Sequence, residues 1–282
     1  MQALSRFSGA SLAPLTAVLL LCITAATAQP RLDVPYVPTP QEVVDRMLQL
    51  GKVRAGEFHM DLGSGDGRIA VTSAAKHGAR SLGVDLNPVR IEEARANAKK
   101  AGVSDRALFE LKNLFETDIS KADILTMYLL PSVNLELRPK ILRDMWPGTR
   151  IVSHAFDMGE WQPDHRESVI GRTVYLWMVP ARVEGRWAIE GSHKFTVTIE
   201  QKYQEITGTA DIGGKSVPLR DASLSGAEIG FAIDIDGMPH RFQGIVSGDR
   251  IDGRRNEWRA ARAKELRCRE AHRRHVSGHA RP

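Results

Sequence analysis

The feature that most constrains this chain is a run of glycines between an apolar strand and a helix. Residues 58–68 read Phe-His-Met-Asp-Leu-Gly-Ser-Gly-Asp-Gly-Arg. Three alternating glycines lack the Cβ atoms that would hinder a sharp turn and the close approach of a ligand. A helix that begins after such a turn offers unpaired N–H groups to a polar or anionic ligand. The segment therefore predicts a ligand pocket at the carboxyl end of a buried strand.

A second acidic residue narrows the choice of ligand. Asp85 follows the next apolar run, residues 81–84, where a carboxylate is placed to accept both hydroxyls of a ribose. The dinucleotide pattern G-x-G-x-x-G is not met, because Arg68 stands where its third glycine belongs. Asp61 would also repel a pyrophosphate. None of the tyrosines has a lysine four places on, as short-chain dehydrogenases require. A cationic nucleoside with an amino acid tail fits this acidic turn better.

These residues carry a resemblance to a known family. The run 61–67 resembles the first motif of class I S-adenosylmethionine-dependent methyltransferases, and residues 85–87 resemble their second motif. Residues 35–40 and 128–131 resemble a bacterial family related to two mitochondrial protein-lysine methyltransferases, which modify the ATP synthase c subunit and the adenine nucleotide translocase. The resemblance implies a Rossmann-like fold and S-adenosyl-L-methionine as the cofactor.

The resemblance also implies contacts to each part of that cofactor. The glycine turn would face the methionine portion, Asp85 would hold the ribose, and Asn113 and Leu114 would frame the adenine. Asn113 stands where many relatives carry an acid, but its side-chain carbonyl still accepts a hydrogen bond. Tyr36 and Thr39 either fold over the methionine end or only form a proline-rich entry segment. The expected cofactor-binding residues are Tyr36, Thr39, Asp61, Gly63, Gly65, Asp66, Gly67, Asp85, Leu86, Asn113 and Leu114.

The segment Tyr128–Pro131 occupies the place where amine methyltransferases put the loop that faces the target nitrogen. The resemblance therefore implies Tyr128 and Pro131 as catalytic residues, and a protein lysine or a small amine as the acceptor. In-line methyl transfer from a sulfonium depends mostly on alignment and proximity. The lysine must be neutral although its free pKa is about 10.4, and an apolar channel favours the neutral form. No strong base and no metal are expected.

Three residues near the predicted fifth strand allow two interpretations. His154 is expected to be a core histidine rather than a base, because it lies on an apolar strand. Asp157 and Trp161 follow that strand at the edge where a substrate would approach. For both, a role in the site and a role in packing remain open.

Strands and helices alternate through the first 180 residues, which predicts a doubly wound parallel sheet. The expected helices are 41–50, 69–77, 88–101 and 133–145, and the expected strands are 58–62, 81–84, 107–111, 124–129, 150–156 and, at an antiparallel edge, 173–179. From residue 183 short β-rich runs follow at 195–199, 206–212, 229–233 and 241–246, separated by glycine turns. They predict a small antiparallel sheet or barrel-like module.

The predicted boundaries follow from these patterns. Residues 29–182 form the methyltransferase domain and residues 183–253 the β module, while residues 254–282 form a solvated or disordered tail. The tail holds ten basic and three acidic residues, so the remainder carries a net charge of −2 although the whole chain has +5. Overall charge therefore does not predict a nucleic-acid partner.

The N-terminus predicts export. Arg6 is followed by no charged residue until Arg31, and the apolar residues 12–28 close with the small residues Ala-Thr-Ala before Gln29. This order is typical of a cleaved signal peptide at 1–28, and an uncleaved membrane anchor is the alternative. Either would place the rest of the chain outside the cytoplasm. S-adenosylmethionine is made inside the cytoplasm. A second candidate function is therefore that of a periplasmic module that binds S-adenosylmethionine or another nucleoside and has no enzyme activity. A third candidate function is methyl transfer to a small molecule.

Overall fold

A seven-stranded sheet occupies the first half of the part of the chain that the computed structural model describes, residues 36–254 and 257–263. Its strands are β1 (Phe58–Leu62), β2 (Arg80–Asp85), β3 (Ala107–Leu111), β4 (Ile124–Met127), β5 (Arg150–His154), β6 (His165–Val169) and β7 (Arg172–Met178). The spatial order is β3-β2-β1-β4-β5-β7-β6. The first five strands are parallel, and β7 and β6 form an antiparallel edge.

Helices cover both faces of this sheet, as the apolar spacing of their sequences requires. They are α1 (Gln41–Leu50), α2 (Arg68–His77), α3 (Pro88–Lys100) and α4 (Pro131–Asp144). The strand order reverses between β1 and β4, because β2 and β3 lie on one side of β1 and the later strands on the other. Such a reversal opens a crevice at the carboxyl ends of the strands, and this is where open α/β sheets bind ligands.

The second half of the chain forms an antiparallel barrel. Its strands are β8 (Gly185–Gly191), β9 (Phe195–Lys202), β10 (Glu205–Ile212), β11 (Lys215–Pro218), β12 (Arg220–Ser225), β13 (Glu228–Ile235), β14 (Met238–Ser247), β15 (Arg250–Gly253) and β16 (Trp258–Arg262). Neighbours in sequence are neighbours in space, and β8 pairs with both β9 and β16, so the meander returns to its start. The predicted fold class, a Rossmann-like sheet followed by a small antiparallel β module, is confirmed.

Closure of the barrel depends on one bent segment. β11 pairs with β10, β12 pairs with β13, and Leu219 joins them and donates its N–H to the Gly208 carbonyl at 2.9 Å. The interior holds packed aromatic rings: Phe242 lies 5.3 Å from Phe231 and 5.5 Å from Trp258, centroid to centroid. Side chains therefore fill this barrel, as is usual for barrels of about eight strands.

Two predicted strands are too long, and one strand was missed. β4 ends at Met127 and β5 ends at His154, so Tyr128, Leu129 and Phe156 lie in loops and not in strands. Strand β6 was missed, because its residues are mostly exposed and polar and show no apolar alternation. Its pairing with β7 supplies the stabilisation that its own sequence does not indicate.

The predicted tail begins too early. Residues 258–262 form β16, which pairs with β15 and β8 and buries Trp258 and Ala260. Arg259 on the exposed face and Arg262 at the end of the strand make this segment read as a polar tail. Residues 264–282 lie outside the described residues. The two sheets have separate hydrophobic clusters within one compact unit, and their division into domains stays a prediction.

The predicted signal peptide or anchor, residues 1–28, also lies outside the described residues. Among the helices that the structure does describe, none is long and apolar enough to cross a membrane.

Shortened chains test the revised boundary. A chain ending at Ala263 keeps β16 and should unfold at the same temperature as the parent. A chain ending at Gly253 loses β16 and leaves one edge of β15 and one edge of β8 without a partner strand. Loss of the buried Trp258 alone costs about 3–5 kcal/mol, or about 10 °C in Tm at this size. Thermal unfolding followed by circular dichroism measures both, and equal Tm values for the two shortened chains would contradict the assignment of β16.

Candidate active site

The glycine turn joins β1 to α2 in a conformation that other residues adopt with difficulty. The φ angles of Gly63, Gly65 and Gly67 are 71°, 53° and 77°, in the left-handed region that favours glycine. A Cβ atom at Gly65 would lie 2.7 Å from the Tyr36 ring, and one at Gly67 would lie 2.6 Å from Phe109. The turn therefore requires glycine both for its backbone and for the space around it.

Asp85 at the end of β2 holds the turn in place. One carboxylate oxygen accepts the N–H of Gly65 at 2.9 Å, and the other accepts the N–H of Asn87 at 2.8 Å. The N–H groups of Gly63 and Ser64 both point to the Val84 carbonyl at 2.9 Å. Each oxygen of Asp85 keeps a further lone pair, and its side chain borders the pocket. Asp85 can thus hold the turn and accept a ribose at the same time.

A pocket lies at the crevice where the strand order reverses. Its lining includes most of the predicted site residues, namely Tyr36, Thr39, Gly63, Gly65, Asp66, Asp85, Leu86, Leu114 and Tyr128. Four predicted residues do not line it: Asp61 lies buried in β1, Gly67 precedes α2, Asn113 precedes Leu114, and Pro131 begins α4. The side-chain carbonyl of Asn113 accepts the N–H of Phe115 at 3.0 Å, so it is already engaged within its own loop. Its predicted contact with adenine stays a prediction.

Arg68 is a site residue that the sequence analysis did not select. It donates to both oxygens of Asp66, the shortest distance being 2.6 Å, and its Nη1 donates to the Thr39 carbonyl at 2.8 Å. Burial favours a higher pKa for Asp66, but the Arg68 guanidinium outweighs this and holds that pKa below its usual range. Arg68 therefore fastens the entry segment, residues 36–40, to the glycine turn. In the sequence, its position directly after the glycine turn was the only indication that Arg68 belongs to the site.

A chain of buried polar side chains supports Asp61. The Thr126 hydroxyl donates to Asp61 Oδ1 at 2.7 Å, and His59 Nε2 lies 2.8 Å from the same hydroxyl. When Asp61 is ionised, the hydroxyl gives its one proton to that carboxylate, so His59 is the donor in the second bond, with its proton on Nε2. Burial lowers the pKa of His59 to about 3, so the ring is neutral. The chain fixes the orientation of the Asp61 carboxyl group.

Burial also raises the pKa of Asp61 to about 7, while Thr126 acts to lower it and the nearby Asp66 and Asp85 act to raise it. Asp61 Oδ2 and Ser64 Oγ are buried and have no hydrogen-bond partner among the described residues. Unpaired buried acceptors are costly unless a ligand supplies the donor. An amino acid ammonium group would supply such a donor, so the turn fits the methionine end of S-adenosylmethionine. Within the described residues, no cluster of side chains is suited to a metal ion.

Aromatic rings form the other side of the site. The ring of Tyr128 lies 3.9 Å from that of His154 and 6.3 Å from that of Phe156, between centroids. His154 is buried, its Nδ1 lies 3.1 Å from the Thr39 hydroxyl, and burial lowers its pKa to about 4. We call Tyr128, His154 and Phe156 the aromatic surface.

The two residues left open by the sequence are now placed. Trp161 is fully buried and packs against Trp177, with 6.0 Å between ring centroids, so it belongs to the core. Asp157 is exposed, and its carboxylate accepts the N–H of Gly159 at 2.9 Å. Both residues stabilise the loop after β5.

Comparison with known proteins agrees with this geometry. A model of the ANTKMT methyltransferase domain matches residues 61–165. The protein-lysine N-methyltransferase of Saccharolobus islandicus (strain REY15A) is 45% identical over 151 residues, which are 52% of this chain and 94% of that protein. The chain belongs to this family of S-adenosylmethionine-dependent methyltransferases. The methyltransferase match by the domain model ends before the barrel begins.

Two further relatives show how far the likeness extends. The adenine nucleotide translocase lysine N-methyltransferase of Mus musculus is 37% identical over 134 residues, 47% of this methyltransferase and 58% of the mouse protein. A crystal structure described as an RNA methyltransferase from Salinibacter ruber, in complex with S-adenosyl-L-homocysteine, shares 51% identity. It covers 52% of this chain and 96% of its own, with a TM-score of 0.51. The names of these relatives agree on methyl transfer and differ in the acceptor.

The pH dependence of cofactor binding tests the role of Asp61. Only the ionised carboxylate attracts the ammonium group, so affinity should rise as pH increases through about 7 and level off above it. Below that point it should fall by up to about tenfold per pH unit. Isothermal titration with S-adenosyl-L-homocysteine between pH 5.5 and 8.5 (a range of about three units) measures this. Thr126→Val, which removes the bond that lowers the Asp61 pKa, should move the midpoint upward.

Two variants serve as controls for this titration. Asp61→Asn should bind weakly and without pH dependence in this range. Asp105→Asn, at an exposed carboxylate remote from the pocket lining, should behave like the parent. A parent affinity that does not change with pH would exclude Asp61 as the ammonium ligand.

Proposed function

We propose that this methyltransferase transfers a methyl group to the ε-amine of a lysine side chain in a protein. The observation that carries the proposal is the aromatic surface beside the glycine turn. Tyr128 borders the cofactor pocket and contacts His154 and Phe156 on its other side. When bound, S-adenosylmethionine supplies an electrophilic methyl group on a sulfonium. An apolar surface next to that group suits a neutral amine.

The chemistry requires an uncharged nitrogen that is correctly aligned. A free lysine has a pKa of about 10.4, and removal of its ammonium from water lowers that value. With its pKa lowered to about 4, His154 is neutral at physiological pH and adds no positive charge to the aromatic surface. The Tyr128 hydroxyl is an acceptor that can orient the amine, and Pro131, which has no N–H, begins α4 directly after this loop. Orientation and desolvation then supply the acceleration.

The names of two relatives support a lysine acceptor, those from Saccharolobus islandicus and Mus musculus. The structure from Salinibacter ruber is described as an RNA methyltransferase, which makes RNA the second candidate. Residues 1–253, which include the candidate site, sum to −2, so this part of the chain lacks the excess of basic residues with which RNA-binding proteins neutralise phosphates. A non-enzymatic binding module is not favoured, since the chain belongs to an enzyme family.

Radiolabelled methyl transfer tests the acceptor class. The purified chain and labelled S-adenosylmethionine are incubated with soluble and membrane fractions from cells that lack this protein. Label should enter protein, survive ribonuclease, disappear on protease treatment and be recovered as methyllysine after hydrolysis. Tyr128→Phe should transfer label at least about tenfold more slowly, as expected for a lost orienting group. Its cofactor affinity should not change.

The other acceptors give distinct results in the same assay. Ribonuclease-sensitive label would replace lysine with RNA as the acceptor. Label found only in small molecules would also exclude the protein proposal. Tyr175→Phe, a conservative change outside the lining of the pocket, is the matched control and should retain full activity.

We further propose that residues 1–28 export the methyltransferase or anchor it to a membrane. The support is the order of Arg6, the apolar residues 12–28 and the small residues before Gln29. An exported enzyme would act away from the compartment where S-adenosylmethionine is made. An anchor would bring it close to membrane-protein acceptors.

A reporter fusion at the C-terminus, combined with N-terminal sequencing of the mature chain, tests the location. A mature start at Gln29 with an active periplasmic reporter is expected for export, and an intact N-terminus in the membrane fraction is expected for an anchor. An intact chain in the soluble cytoplasmic fraction would contradict both proposals.

A further inference from the structure

The barrel contacts the methyltransferase sheet through the turn between β9 and β10. We call Lys202, Tyr203 and Gln204 the barrel turn, and residues 155–164 the β5–β6 loop. Each residue of the barrel turn contacts that loop. Lys202 Nζ lies 3.5 Å from a carboxylate oxygen of Glu160, and Gln204 Nε2 donates to the Gln162 carbonyl at 2.6 Å. The ring of Tyr203 stacks on that of Trp161, with centroids 6.1 Å apart and 17° between their planes.

The backbone of Tyr203 is in a conformation that its side chain disfavours. Its φ angle is 57°, in the left-handed region, where two-residue hairpin turns usually carry glycine, asparagine or aspartate. Gln201 holds this conformation by donating to the Tyr203 carbonyl at 2.6 Å and to the Ala181 carbonyl at 2.8 Å. The barrel hairpin itself does not require a tyrosine here. Strain of this kind concentrates at positions selected for function.

Arg138 on α4 links the barrel turn to the middle of the β5–β6 loop. Its guanidinium lies over the Tyr203 ring, 5.6 Å from the centroid, and its Nη1 donates to the Met158 carbonyl at 2.7 Å. Met158 and Trp161 form a β-bridge with each other, and both are fully buried. Tyr203 and Arg138 therefore contact both ends of the segment between Met158 and Trp161.

The start of the same loop forms part of the aromatic surface. Asn134 on α4 donates to the carbonyls of Phe156 and Asp157, each at 3.2 Å, and Ser153 donates to the Phe156 carbonyl at 2.7 Å. Phe156 in turn lies against Tyr128. Packed and hydrogen-bonded contacts thus run without a break from Tyr203 to Tyr128, which is the physical basis for coupling two sites.

We propose that Tyr203 is a positioning residue for methyl transfer, through which the barrel fixes the acceptor side of the active site. This proposal rests on the proposed function in one respect, namely that the aromatic surface is the side where the acceptor binds. It holds whether the acceptor is a protein, an RNA or a small molecule. The cofactor pocket should be unaffected, because neither the barrel turn nor the β5–β6 loop contributes to its lining. The matched domain model covers residues 61–165 and so includes the β5–β6 loop, whereas Tyr203 lies beyond its end.

Tyr203→Gly tests the proposal, because it removes the ring and also relieves the left-handed backbone. Asp236→Gly is the matched control, since Asp236 has a φ angle of 51° in the exposed turn between β13 and β14. Tyr203→Phe keeps the stacked ring, and within the described residues the Tyr203 hydroxyl makes no hydrogen bond. For Tyr203→Gly we expect kcat/KM, measured with the acceptor that the methyl-transfer assay identifies, to fall at least about tenfold. The cofactor Kd should stay within about twofold of the parent value. Tyr203→Phe and Asp236→Gly should match the parent.

A second readout does not depend on the acceptor. The chain has four tyrosines, so fluorine NMR of protein labelled with 3-fluorotyrosine can resolve Tyr128. Its signal should shift or broaden in Tyr203→Gly and stay unchanged in Asp236→Gly. If the labelled acceptor is not a lysine, the proposed function fails while this comparison still decides the role of Tyr203.

The opposite results would overturn the inference. One such result is an unchanged Tyr128 signal in folded Tyr203→Gly. Another is a kcat/KM of Tyr203→Gly equal to that of the parent. A parallel loss of cofactor binding and Tm would assign Tyr203 a structural role only. If Tyr203→Gly does not fold, Tyr203→Asn takes its place, because asparagine tolerates the left-handed conformation and lacks the ring.

Discussion

The hydrogen bonds of the Asp85 carboxylate are the interaction on which the active site depends. This carboxylate accepts the N–H groups of Gly65 and Asn87, and so joins the end of β2 to the glycine turn after β1. The two parallel strands are thereby fixed at the edge where the strand order reverses. Arg68 then fastens the entry segment to the same turn through Asp66 and the Thr39 carbonyl. The pocket is consequently organised by the protein itself, which reduces the ordering cost of binding a cofactor.

The site also contains polar groups that lower the stability of the cofactor-free protein. Burial of Asp61 raises its pKa to about 7, and its Oδ2 has no partner among the described residues. The raised pKa means that protonated Asp61 favours the folded state, and that this contribution is lost as pH rises through about 7. A cofactor ammonium would compensate for the buried negative charge. Function therefore explains an arrangement that folding alone would not select.

The barrel has its own core and also contacts the methyltransferase half of the chain. Its division from the sheet as a separate domain stays a prediction. Its interior is filled by its own aromatic cluster, yet Tyr203 also packs against the core of the methyltransferase sheet. Lys202, Tyr203 and Gln204 all contact the loop that begins at the aromatic surface. A module with a complete core can thus stabilise an active-site loop of its neighbour without contributing to the cofactor pocket.

The amino-acid sequence alone was enough to predict the doubly wound sheet, the glycine turn, the acid at the end of β2 and a β-rich second half. Each of these depends on short-range patterns: apolar periodicity, left-handed glycines and strand-end acids. It did not indicate β6 or β16, whose polar faces hide strands that exist only because neighbouring strands pair with them. Nor did it select Arg68 or separate Trp161 from the site. These points became visible only in the folded chain, because they depend on contacts between residues that are distant in the sequence. The contacts are those of Arg68 with Thr39, of Trp161 with Trp177 and of Tyr203 with Trp161.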